Sequence, residues 1–122
     1  MFLVTINKPK ELLYLGFIAR VRLEEMQQAR PNAESLLVEL SPGFRLLADL
    51  ERLESIDANC IPEIGKFMEL GDQSGVGMIV RVIPDPMKDI GLNIMSRFHY
   101  RKTHPRMVTC KSMVEAAELL SL

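Results

Sequence analysis

Val76 to Ile83 is a near-continuous apolar run, broken only by Gly77 and Arg81. A strand with one face in water alternates polar and apolar residues. A run that is apolar on both faces belongs to a sheet covered on both sides, the signature of parallel pairing with helices above and below. A second run, Phe44 to Leu50, reads as the central strand of the same sheet. In a chain of 122 residues this predicts one α/β domain spanning 1–122, long enough for a proper core.

The rest of the chain fits around these two strands. Phe2 to Ile6 and Leu12 to Ala19 read as strands, joined by the turn Asn7-Lys8-Pro9-Lys10, and most simply form an antiparallel hairpin. Val21 to Ala29 and Ala33 to Leu40 read as helices separated at Pro31, because proline lacks an N–H and disfavours the helical region at Arg30. Cys60 to Leu70 carries a helical stripe, Ile61, Ile64, Phe67 and Met68. Gly65 would let this helix approach the sheet, and Gly71 is its expected stop. Pro62 belongs in a first turn, which makes Asn59 the preferred cap over Asp57. Asp85-Pro86 opens a helix to about Phe98, with Met87, Ile90, Ile94 and Phe98 on one side. A short strand, Arg106 to Cys110, is followed by the capping box Ser112-Met113-Val114-Glu115 and a last helix turning Met113, Ala116, Ala117 and Leu120 inward. The predicted order is β-β-α-β-α-β-α-β-α: a mixed, mostly parallel sheet of about five strands with about four helices.

Composition narrows the function classes. A formal net charge of -1 argues against a general nucleic-acid binder. Two distant cysteines, Cys60 and Cys110, with no CxxC and no His cluster, predict neither disulfide nor zinc site, and reduced thiols in a cytoplasm are expected. The apolar start, Met1 to Ile6, is too short for a signal peptide or a membrane span. No nucleophile–base pair, paired-carboxylate site or phosphate loop stands out, so no enzyme, cofactor or metal is expected.

Charge is unevenly spread. Asp49 to Asp72 holds seven acids and two bases, while Ile90 to Val114 has no acid and carries Arg97, His99, Arg101, Lys102, His104, Arg106 and Lys111. This pattern predicts an electrically two-ended molecule able to steer an oppositely charged partner or a second copy of itself. Arg81, Arg97, His99, Arg101 and Lys102 are the candidate anion or partner contacts, with Arg81 alternatively pairing Asp85. At the strand-to-helix turn, Asp57, Ala58, Asn59 and Cys60 form the candidate partner-binding patch, in the crevice where open α/β sheets place their sites. Cys60 is either a thiol activated by the helix start or, the favoured reading, a small buried hydrophobe.

From Leu12 to the C-terminus, this order and this turn resemble the STAS domain of bacterial anti-sigma factor antagonists. Ile56-Asp57-Ala58-Asn59-Cys60 corresponds to the family's Ile-Asp-Ser-Ser-Gly turn, Gly75 to Pro86 to its next strand and proline turn, and Met107 to Leu120 to its last strand and helix. The segment Val21 to Leu40 also resembles the small STAS-like branch that shares features with lipid-binding CRAL-TRIO domains. The resemblance implies a cytoplasmic, non-catalytic regulatory module that binds a protein partner. The family's second turn serine is phosphorylated; here Ala58 and Asn59 replace the pair, so that switch is not expected. The rival reading is a carrier or sensor in which sheet and Met-rich helices enclose an apolar or anionic small ligand.

Overall fold

The fold is described from a computed structural model of residues 1–122, with the side chains of Pro86, Lys88, Asp89 and Ile90 outside the described set. Its elements are β1 (Phe2–Asn7), β2 (Leu12–Phe17), β3 (Ala19–Val21), α1 (Leu23–Leu37), β4 (Arg45–Asp49), β5 (Leu53–Ile56), α2 (Ile61–Ser74), β6 (Met78–Val82), α3 (Pro86–His99), β7 (Arg106–Cys110) and α4 (Met113–Leu120). The main sheet has the order β1-β2-β4-β6-β7, antiparallel only between β1 and β2. The predicted class, a mixed and mostly parallel five-strand sheet with four helices, is what the chain forms.

The sheet's two faces carry separate cores. On one, Leu13, Leu15, Phe17, Leu46 and Ile79 pack against Met26, Ala33 and Leu37 of α1 and Phe67 and Met68 of α2. On the other, Leu12, Leu47, Val80, Val82 and Cys110 meet Ala116 and Leu120 of α4. Odd and even strand positions therefore both face apolar layers, which is why the 76–83 run shows no alternation.

Several local expectations fail for identifiable reasons. The two helices expected on either side of Pro31 are one helix, α1, with Pro31 inside it. Pro31 and Gln27 are both exposed, so the carbonyl that loses its helical donor can bond water, while Ala33 and Leu37 on the other side hold the helix to the sheet. Gly71 does not stop α2. It is buried beside Tyr100, and the helix runs to Gly75, whose φ of 92° supplies the left-handed cap. Gly65 does not face the sheet; a Cβ there would lie 2.7 Å from the His99 ring of α3.

Two short strands were not anticipated. β3 and β5 form a separate parallel ribbon that carries the chain into the 56–60 turn. The stripe Met87, Ile94 and Phe98 faces out, at 73%, 51% and 59% exposure; Ile90, placed with them by spacing, lies outside the described residues. Buried Ser96, with Leu92 and Met95, faces in instead. Arg81 dictates this rotation: its guanidinium, on a buried strand, bonds Ser96 and Asn93, and a buried cation must be met by polar groups. Among the described residues no helix is long and apolar enough to cross a membrane.

Candidate functional site

The β3–β5 ribbon holds the turn from below. Arg20 Nε and Nη2 bond the two carboxylate oxygens of Asp57 at 3.0 and 3.3 Å, and the Asp57 N–H donates to Val21 O. Asp57 is thus engaged as half of a two-pronged ion pair. The chain then makes a 3-10 turn, Ala58–Cys60, before α2. Asn59 lies within that turn and does not cap the helix: Cys60 takes the N-cap position, with no side-chain cap. The 3-10 turn already occupies the N–H groups of Cys60 and Ile61, and Pro62 has none to offer.

Cys60 is fully buried, its Sγ 3.8 Å from Val21 O. Burial, followed by the neighbouring Asp57 charge, pushes its thiol above the ordinary value, opposite to an activated nucleophile. The exposed residues of the turn are Ala58 and Asn59, with Ile61 beside them at 52% exposure.

The acidic and basic stretches do not form opposite ends. Asp72, at 5% exposure, accepts from the N–H groups of Arg101, Lys102 and Thr103 and from Thr103 Oγ1, at 2.8–3.1 Å. Burial pushes its acid up, but those bonds from Thr103, Lys102 and Arg101 outweigh it and hold the acid below its ordinary value. Glu69 lies 2.9 Å from His99 Nδ1. The packing of α2 on α3 therefore folds part of the acidic stretch onto the basic one. A second buried acid, Glu63, sits 3.1 Å from Arg30 Nε, out of line for a hydrogen bond, and 3.5 Å from Lys66 Nζ.

Of the candidate anion contacts, Arg97 and Arg101 come together with His104 around an open depression of about 670 Å³. Arg101 Nε also donates to Phe98 O. Lys102 is exposed and held through its backbone, while His99 is turned toward Glu69 and Gly65. Arg81 lies behind the depression's wall of Asn93, Ser96 and Tyr100. Asp85 is used to cap α3, accepting from the Met87 N–H at 3.1 Å.

That wall also bounds a hollow the sequence did not locate. An apolar cavity of about 640 Å³ lies between the sheet and helices α1, α2 and α3. Phe2, Phe17 and Phe67 stand at the β1–β2 side, Met68 and Met95 on the helices, Arg81 and Ser96 at the β6 side, and Ser55, Ile56 and Ile61 beneath the turn. The residues on either side of the candidate partner patch, Ile56 before it and Ile61 after it, are therefore cavity wall. The traces in the sequence were Arg81 interrupting an apolar strand and methionines on facing helices. Neither specifies a cavity, because volume depends on how far the helices stand off. Among the described residues no cluster of His, Cys, Asp or Glu could hold a metal ion.

No protein-family model matches the sequence, and no curated protein does. Solved structures do match. The anti-sigma factor antagonist SpoIIAA in its unphosphorylated form superposes with a TM-score of 0.66 at 14% identity, over 99% of this chain and 98% of that one. The fold is SpoIIAA-like. A protein of the DUF3478 family from Shewanella loihica PV-4, itself of SpoIIAA-like fold, superposes with a TM-score of 0.73 at 13% identity, over 98% of this chain and 92% of that one. The phosphorylated form of SpoIIAA, the Bacillus cell fate determinant, gives 0.61 at 13% identity, over 98% and 99%. The STAS-like architecture implied by the 56–60 turn and the strand order thus stands across the whole chain. At such identities the likeness is one of SpoIIAA-like backbone.

Proposed function

We propose that this chain is a non-catalytic regulatory module that binds a protein partner through the 56–60 turn and the start of α2. The observation that carries the reading is the turn itself. A dedicated two-strand ribbon and the Arg20–Asp57 pair hold Ala58, Asn59 and Ile61 exposed at the end of a SpoIIAA-like sheet. Preorganised exposed apolar and amide groups are what a docking patch needs. The SpoIIAA structures are those of an anti-sigma factor antagonist with phosphorylated and unphosphorylated forms. Here Ala58 and Asn59 offer no hydroxyl, so the patch works without phosphorylation.

A photo-crosslinking residue at Ala58, compared in the native host with one at exposed Val38, tests the patch. A discrete protein adduct at Ala58 and none at Val38 is expected; identical adducts at both would refute it. Intact-mass measurement after incubation with kinases of the anti-sigma type should show no phosphate. One mapped to Ser55 would show that the switch had moved rather than vanished.

The cavity supports a second reading, in which the module also holds a small apolar ligand. Ile56 and Ile61 belong to both cavity wall and patch, so an occupant would bear on the surface the partner meets.

A further inference from the structure

We propose that the open depression at the end of α3 binds a phosphomonoester, with Arg97, Arg101 and His104 holding its phosphate. None of the residues lining it belongs to the 56–60 patch, so this site is additional to the partner surface. Its volume of about 670 Å³ is that of a small-molecule site and exceeds what a bare phosphate fills, leaving room for the organic part of the ester.

Donors surround the depression, and among the described lining residues there is no acid. Arg97, Arg101 and His104 are exposed at the rim, while Ser96, Tyr100 and Pro105 are buried and form the floor. Burial pushes the Tyr100 phenol above its ordinary value, so the floor adds no negative charge. Two guanidiniums gathered at one hollow repel each other, and an anion between them removes the repulsion. The carbonyl end of a helix draws cations by itself. That accounts for Arg97 and Arg101 but not for His104, which lies beyond α3 on the next loop.

The loop carrying two of the three groups is held in one shape. Buried Asp72 gathers the N–H groups of Arg101, Lys102 and Thr103. Arg101 Nε donates to Phe98 O at 2.7 Å, which orients the guanidinium and spends one of its five donors. His104 keeps a left-handed backbone, φ 44°, at a cost that its exposed side chain recovers through no packing. Its imidazole offers an N–H in either protonation state. A phosphomonoester carries about −1.5 to −2 charge at neutral pH and three acceptor oxygens, one for each rim group. A carboxylate, with a single charge and two oxygens, leaves one of the three unmet.

Titration of the full chain with glycerol 3-phosphate, read by amide NMR shifts, tests this, with acetate and glycerol as controls. Saturable shifts over 97–104 are expected from the phosphate ester, at least tenfold weaker from acetate and absent from glycerol. Arg97→Gln combined with Arg101→Gln should weaken binding at least tenfold, whereas Lys111→Gln, which removes a cation of the same stretch outside the depression, should not. His104→Gly should also weaken binding, with an unchanged or raised melting temperature because glycine adopts that φ freely. Vesicles of phosphatidylcholine containing phosphatidic acid distinguish the source of the phosphate. Retention on them without a response to glycerol 3-phosphate assigns it to a lipid headgroup, and the converse to a soluble ester. A response to neither would overturn the proposal. So would acetate binding as tightly as the ester, or Lys111→Gln weakening it as much as the double change, since either would mean a diffuse positive field. Should the double variant fail to fold, the wild-type ranking of ester, acetate and glycerol still decides.

Discussion

Replacing Asp72 by alanine should be among the costlier single changes outside the apolar core. The carboxylate gathers three consecutive backbone N–H groups and one hydroxyl from the 101–103 loop. A hydrogen bond to a charged acceptor contributes about 1.5–3 kcal/mol when water cannot replace it. Arg101 and Lys102 are exposed and water can take over there, so their bonds are discounted to well under 1 kcal/mol each. Thr103 is half-buried and loses two bonds, bringing the expected cost to about 3 kcal/mol. For a domain of this size that lowers the melting temperature by roughly 10 °C.

The cost should also depend on pH. Asp72 titrates below its ordinary value when folded, so its contribution is fully present above the unfolded value of about 3.9 and is lost as pH falls through the folded one. Urea unfolding of wild type and Asp72→Ala at neutral and strongly acidic pH measures both effects. A neutral-pH loss under about 0.5 kcal/mol, or a loss of the same size in acid, would refute the account, since the first would leave the bonds without net effect and the second would assign the loss to packing.

Glu63→Gln should cost about 1–2 kcal/mol by denaturant unfolding, less than for a fully enclosed ion pair because Arg30 and Lys66 can turn to water. Gly65→Ala should destabilise by driving a methyl into the His99 ring, whereas the same change in a His99→Ala background should stabilise by up to about 1 kcal/mol of helix propensity; additive effects in that cycle would deny the contact. Pro31→Ala should raise stability by about 1–3 kcal/mol, as a thermal melt would show, since it restores an N–H opposite an exposed carbonyl inside α1.

Much of the architecture was legible in the sequence because strong patterns speak for themselves. The 76–83 run demanded cover on both faces, and Asp85-Pro86 and Ser112 through Glu115 marked helix starts that form with their caps in place. Failures came where tertiary contacts outweighed local preference. Proline is a helix breaker unless its orphaned carbonyl reaches water, and only the fold says which side of α1 is wet. Met87, Ile94 and Phe98 are as apolar as a core stripe, but Arg81 claims the opposite side of α3. The ribbon strands β3 and β5 are too short to show a period at all. For the candidate site, Asp57 to Cys60 could be located by resemblance and turn chemistry. The cavity depends on spacing between layers, which no residue pattern encodes.

The main sheet has one antiparallel pair and three parallel ones, and the difference governs the order in which it can assemble. β1 and β2 are joined by a short turn whose ends the chain can close locally, and a hairpin forms within about 1–10 μs. Every other neighbour, β2–β4, β4–β6 and β6–β7, must wait for a crossover that includes a helix, so loop-closure entropy comes before the contacts that offset it. During synthesis the hairpin emerges before the other strands of this sheet, displaying Leu13, Leu15 and Phe17 as a bare apolar face until α1 has left the ribosome and can cover it. β1, a sheet edge in the finished protein, is in that interval one half of an open two-strand ribbon. The nascent domain is thus most exposed to misassociation between the completion of β2 and the docking of α1.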